Sequence, residues 1–325
     1  MKRIKIFVLI ILFFNCCFSE TKKFPGEIFG LETDGKSIFT LMMYNKSDKL
    51  QIIYPTIKET PPLPPYKSFK RYYQMINDKI VVLSDNDVFI FDNDLKLLKK
   101  IKLPDMPPDK YNFNYSLSMK NKDKSCFMIV IESNDKCFLL KDFDLIELEN
   151  ELAFDGNKIE MKNNIIIING YTTDLKYKKF SSLVHFLFVL DNEFILVRNS
   201  IFDNSGRRLA DLPFTFEVGN AILLEHFYIL FNPENIVILN KKGEMIKVIK
   251  EGDPGILGYL DQDQVVLKIN RQYLGIFSLK TFDLKKKDLG EEISSAVLLD
   301  DKLFYVPKNN YKTLKIKPIK EIFVE

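Results

Sequence analysis

The sequence predicts an all-β protein, and three observations carry that reading. Apolar, β-branched and aromatic residues come in runs of about five; clusters of Asn, Asp, Gly, Ser or Lys separate the runs; and the hairpin tips recur in one form. Strands are expected over 79–83, 87–91, 126–131, 165–168, 194–197, 226–231, 235–239, 265–269 and 303–306. No amphipathic stretch of a dozen residues predicts a helix. With 325 residues, 46% hydrophobic and 28% charged, the chain has ample material for a packed core and is not disordered, collagen-like or a multi-span membrane protein. The absence of Trp excludes architectures built on a repeated Trp signature.

The tips justify the next level. Phe91-Asp92-Asn93-Asp94-Leu95, Phe202-Asp203-Asn204-Ser205-Gly206 and Leu239-Asn240-Lys241-Lys242-Gly243 each place an apolar residue, then Asp or Asn, then a small or polar tip before another strand. Asp and Asn side chains cap nearby amides there, and Gly supplies the left-handed backbone of a tight hairpin. Amphipathic edges follow over 95–103, 207–212 and 245–249, and looser copies stand at Lys141-Asp142-Phe143-Asp144 and at 277–281. The unit reads as strand, strand, hairpin, outer strand. From Asp92 through Asp142, Asp203 and Asn240 to Ser278 the spacings are 50, 61, 37 and 38, with a degenerate copy over 153–182 absorbing the excess.

Four-stranded repeats of about 40 residues are the blades of a β-propeller. The hairpins resemble those of divergent quinoprotein-like and NHL-like propellers, and the resemblance spans residues 27–325. It implies one domain of about seven four-stranded blades, six and eight being the neighbouring solutions. A pair of β-sandwich domains and a large up-and-down barrel are the other all-β arrangements the pattern admits. Thr60-Pro61-Pro62-Leu63-Pro64-Pro65-Tyr66 interrupts the strands and reads as a stiff polyproline connector on one rim, with docking of a partner as the second reading.

The N-terminus reads as a sorting device. Lys2, Arg3 and Lys5 precede nine apolar residues, Ile6 to Phe14, a run too short to span a bilayer. Residues 1–15 are therefore expected to be a signal peptide. Leu12-Phe13-Phe14-Asn15-Cys16 resembles, in relaxed form, the lipobox of bacterial lipoproteins, in which a diacylglyceryl group is attached to a cysteine and the chain is cut before it. The resemblance implies lipidation at Cys16, with Cys17 the less favoured neighbour, and residues 16–26 would be a lipidated tether. Export to the cell envelope and membrane attachment through the lipid follow, an ordinary secreted protein and an uncleaved N-terminal anchor being the other readings.

Cleavage would remove three of the 47 basic residues and none of the 44 acidic ones, which leaves no net charge. A neutral body lacks the cationic surplus that nucleic-acid binding requires. Lysine groups at 96–102 and 285–287 read as solvated edges. Two cysteines lie in the body, Cys126 and Cys137. A hairpin turning near Asn134 with cross-strand partners adding to about 268 would send the two thiols to opposite faces, so both are expected to be free.

No chemistry-bearing motif emerges. His185 and His226 stand in apolar surroundings and read as structural, without ligand spacing for a metal. Ser205 lies in a hairpin tip rather than a nucleophile elbow. The acid pairs Asp92/Asp94, Asp142/Asp144, Asp261/Asp263 and Asp300/Asp301 suit turns better than catalysis or calcium, and Gly252-Asp253-Pro254-Gly255 lacks the residues of a phosphate loop. No catalytic, cofactor or metal residue is predicted. The expected function is a non-catalytic binding or scaffold module with a protein partner. The alternative is a propeller enzyme acting on a carbohydrate or small molecule through acids at a channel mouth.

Overall fold

Apolar runs become strands that fold back on their predecessors. The computed structural model describes residues 19–44, 48–64, 71–76, 79–84, 87–102, 130–133, 136–141, 144–148, 158–162, 165–170, 187–189, 194–197, 200–203, 208–212 and 221–323. After β1 (Glu20–Lys23), strands β2 (Glu27–Thr33), β3 (Ile38–Met43), β4 (Lys49–Tyr54) and β5 (Lys58–Glu59) pair in chain order as one antiparallel sheet. A second holds β6 (Arg71–Ile76), β7 (Lys79–Ser84), β8 (Asp87–Asp92) and β9 (Leu97–Lys102). Three strands follow, β10 (Val130–Ser133), β11 (Lys136–Lys141) and β12 (Asp144–Leu148), then a pair, β13 (Lys158–Lys162) and β14 (Ile165–Gly170). Four-stranded sheets resume with β15 (Leu187–Val189), β16 (Phe194–Val197), β17 (Ser200–Asp203) and β18 (Arg208–Asp211). Next come β19 (Ala221–Leu223), β20 (Phe227–Phe231), β21 (Asn235–Asn240) and β22 (Met245–Lys250), then β23 (Gly255–Tyr259), β24 (Gln264–Ile269), β25 (Tyr273–Ser278) and β26 (Leu284–Asp288). The last sheet is β27 (Ile293–Leu299), β28 (Lys302–Pro307) and β29 (Thr313–Pro318), with β1 outside β29; a single helical turn, α1 (Ile319–Ile322), follows.

Burial explains this composition. The middle strands β3, β8, β21 and β28 are buried along most of their length, so both faces must be apolar. The fourth strands β9, β22 and β26 are largely exposed and carry the lysines. The expected all-β architecture of short antiparallel sheets is what forms, and the predicted hairpins at Asp92, Asp203, Asn240 and Ser278 join third to fourth strands. Across β11 and β12 Lys141 stands opposite Asp144, Asp142 itself lying outside the described residues, and the described part of 153–182 is the strand pair β13 and β14. In the three hairpins of strictest pattern the ladder slips by one residue at the same place, between Ile90 and Phe91, Ile201 and Phe202, and Ile238 and Leu239. The two looser copies keep an unbroken register.

Asn240 shows how such a tip is built. Its Oδ1 accepts the amides of Lys242 and Glu244, each at 2.9 Å, and its own amide donates to the Glu244 carbonyl. Gly243 sits at φ 82°, where a Cβ would be strained. In the Asp92 tip the matching residue is Leu95, at φ 65° and buried, so its apolar side chain is kept at some backbone cost.

By internal contacts the chain divides into two units. One comprises Met1–Tyr66, Asn93–Lys96 and Gly255–Glu325, the other Lys67–Asp92 and Leu97–Pro254. The first unit has two cores. Ile28, Leu31, Ile38, Met42 and Ile53 of the first sheet pack on Phe304, Val306, Leu314 and Ile316 of the last, with Phe24 among them. Val266 and Leu274 pack on Leu303, Tyr305, Ile319 and Ile322. In β2 an extra residue bulges at Gly30 and Leu31, with Gly30 at φ 75°. Two hydroxyls satisfy the displaced backbone: Thr40 donates to the Gly30 carbonyl at 2.8 Å, and Ser295 of β27 accepts the Leu31 amide at 2.9 Å. The second unit is ordered about Tyr228, Phe231, Ile236, Val237 and Ile238 in β20 and β21 and about Ile80, Val82 and Val88 in β7 and β8, all nearly inaccessible.

Candidate functional site

The first described strand, which sequence reasoning had assigned to the tether over 16–26, is part of the body. Glu20 lies opposite Ile316, Thr21 opposite Lys315, Lys22 opposite Leu314 and Lys23 opposite Thr313. Glu-Thr-Lys-Lys has no apolar residue because an outermost strand needs none; its partner covers the core. The signal lay just beyond it. Phe24 is buried in the core shared by the first and last sheets, and its amide donates to the Lys312 carbonyl at 2.8 Å. Residues 1–18, including the expected signal peptide, Cys16 and Cys17, lie outside the described residues.

Beside this seam stands a half-buried polar network. Glu291, in the connection from β26 to β27, accepts the Tyr305 hydroxyl at 2.8 Å and the Lys315 ammonium at 2.6 Å and 2.7 Å. Lys317 stands 5.8 Å from the centre of the Tyr305 ring. Burial favours a neutral Glu291, but the bonds from Lys315 and Tyr305 outweigh it and hold the carboxyl below its usual range. Burial, then the hydrogen bond to Glu291, raises the Tyr305 phenol far above its ordinary value. Sequence reasoning missed this group: the three residues are far apart in the chain, and only the β28–β29 register sets Tyr305 opposite Lys315.

The predicted acid pairs are spread over turns. Asp300 and Asp301 form the two-residue turn between β27 and β28, at φ 50° and 55°. Asp261 Oδ1 accepts the Asp263 amide, and Asp263 binds Lys280 at 2.6 Å. Asp94 binds Lys58 at 2.8 Å, and that bond holds its carboxyl low. Asp142 and Ser205 fall outside the described residues, as do His185 and Cys126.

The structure corrects or refines three expectations. His226 was expected inside an apolar strand; it sits instead in the turn ahead of β20, three-quarters exposed, because the strand starts one residue later at Phe227. Partners across β10 and β11 add to 269, not 268, so Cys137 stands opposite Glu132. On its other side Cys137 stands opposite Leu148, and Cys126 lies outside the described residues. The polyproline segment, as far as Pro64, runs along β4: the Thr60 amide donates to Leu50, the Leu63 amide to Asp48, and Leu63 is buried. Among the described residues no three His, Cys, Asp or Glu side chains converge as a metal would require.

No family model matches the chain, and no curated protein is similar to it in sequence. Solved structures are similar in fold. BBS1N in complex with ARL6DN matches with a TM-score of 0.51 at 10% identity, over 93% of this chain and 95% of that one. The WD40 β-propeller domain of Doa1 matches at 0.49 and 11% identity, over 91% and 95%. BamB from Moraxella catarrhalis matches at 0.43 and 10%, over 88% and 83%. At these identities the likeness is one of fold.

Proposed function

We propose that the protein is an exported lipoprotein, acylated at Cys16, whose body is a β-propeller serving as a non-catalytic binding or scaffold module of the cell envelope. Consecutive four-stranded meanders, with the N-terminal strand completing the C-terminal sheet, are the elements of a propeller ring. Seven or eight blades accommodate the sheets, according to whether β10–β12 and β13–β14 form one blade or two. Such a scaffold fixes its loops rigidly, which suits recognition of a protein partner.

One observation carries the anchored reading: the outer strand β1 begins at Glu20, four residues after Cys16. A lipid on Cys16 would thus hang from the outer edge of the last sheet on a leash of at most about 14 Å. Growth with a radiolabelled fatty acid tests it. Label should enter the wild-type chain and vanish in Cys16→Ala; an unlabelled wild type, or a variant labelled equally, refutes it.

A further inference from the structure

The lysines around the seam are not evenly distributed. In β29, Leu314 and Ile316 point into the core shared with the first sheet, so Thr313, Lys315 and Lys317 take the other face. Lys315 is opposite Tyr305 and Lys317 opposite Leu303, and both partners belong to the core made with Val266 and Leu274. Lys23, opposite Thr313, extends that face onto β1. On the facing sheet, Lys287 is opposite Leu274 and Lys285 opposite Ile276, which packs against the same core. Five lysines from two neighbouring sheets therefore border the outer end of one apolar core. Lys23, Lys285 and Lys287 are exposed, and Lys315 is held by Glu291.

We propose that these lysines, on β26 and on the β29–β1 edge, form a contact site for anionic lipid headgroups, turning the last two sheets edge-on to the bilayer. The proposal rests on the anchored reading for its choice of a membrane over any other anion. An acyl chain on Cys16 fixes where the body is held but not how it is turned. The strand carrying Lys23 is the one the leash enters, so these lysines are held close to the surface, where the potential of anionic lipids acts within about one Debye length, roughly 8 Å. Lysine stems can lie along Tyr305 and its neighbours while the ammonium groups reach headgroup phosphates.

The test is co-sedimentation of the full chain with two kinds of vesicle, phosphatidylcholine alone and phosphatidylcholine with phosphatidylglycerol in equal parts. The ratio of the two affinities cancels what the N-terminus contributes to both. Lys285→Gln with Lys287→Gln should lower that ratio about 30-fold, and added salt should lower it in the wild type. Lys247→Gln with Lys250→Gln on β22 should leave it unchanged. A wild-type ratio near one, an unchanged ratio in the Lys285/Lys287 variant, or an equal loss from the β22 pair would each overturn the proposal. Running the series in Cys16→Ala separates the two ideas: failed acylation appears as missing fatty-acid label, failure of the lysine site as a ratio insensitive to Lys285 and Lys287.

Discussion

Thr21 lies directly opposite Lys315, so the earliest described strand and the last one are partners in a single sheet. Their pairing depends on the residue next to β1, Phe24, which is sunk into the core shared by the first and last sheets.

Phe24→Ala is expected to lower the stability of the chain by about 3 kcal/mol, the usual cost of emptying a buried Phe site. Urea denaturation followed by circular dichroism measures it. Hydrogen exchange should speed up at Leu314 and Ile316 before it does at Ile236 or Val237, since the seam opens first. Uniform acceleration would argue against a local seam.

The hairpin at Asn240 makes a sharper test of turn chemistry. Gly243→Ala forces a Cβ into a left-handed residue and should cost about 1 kcal/mol. Leu95→Gly, at the matching position, relieves that strain yet removes a buried side chain, and the loss of burial, about 2 kcal/mol, should dominate. Both variants are expected to unfold earlier in urea, Leu95→Gly the earlier of the two.

The Glu291 network sets a pH dependence. A carboxyl whose pKa is lowered on folding adds stability above its unfolded value, about 4.3, and that contribution disappears as pH falls through the folded value. Wild type should therefore lose stability on acidification below about pH 4.3, with a shallower slope in Glu291→Gln. Tyr305 behaves in the opposite sense: its raised pKa contributes stability below about pH 10, lost as pH rises through the folded value, and Tyr305→Phe should flatten that alkaline limb. Urea midpoints across a pH series decide both.

Ser295 tests the contact between the first and last sheets. Replacing it with Ala leaves the Leu31 amide of the bulge without its acceptor, and about 1–3 kcal/mol should be lost. Ser294→Ala, one residue earlier on the same strand, is the control and should be near neutral.

Much of this architecture could be read from residues alone, for identifiable reasons. Buried strands such as Asn235–Asn240 are apolar on both faces, and tips such as Asn240 to Gly243 carry the side chains a tight turn demands. The hairpins recognised most firmly are also the ones that share a bulge, so the pattern followed backbone geometry closely. What escaped was set by partners distant in the chain. Glu20–Lys23 has no strand signature because its neighbour β29 does the covering. His226 looked internal since apolar residues flank it, but a turn needs only its own few positions to be polar. Glu291, Tyr305 and Lys315 are unremarkable singly and meet only through sheet register.

The polyproline run along β4 also closes an edge. Beyond the two residues of β5, it lays a segment without amide donors at Pro61, Pro62 and Pro64 over the margin of the first sheet, where a foreign strand would otherwise add. Lysines guard the margins formed by β9, β22 and β26. Margins closed in this way let copies of the chain crowd together without adding strand to strand into a polymer.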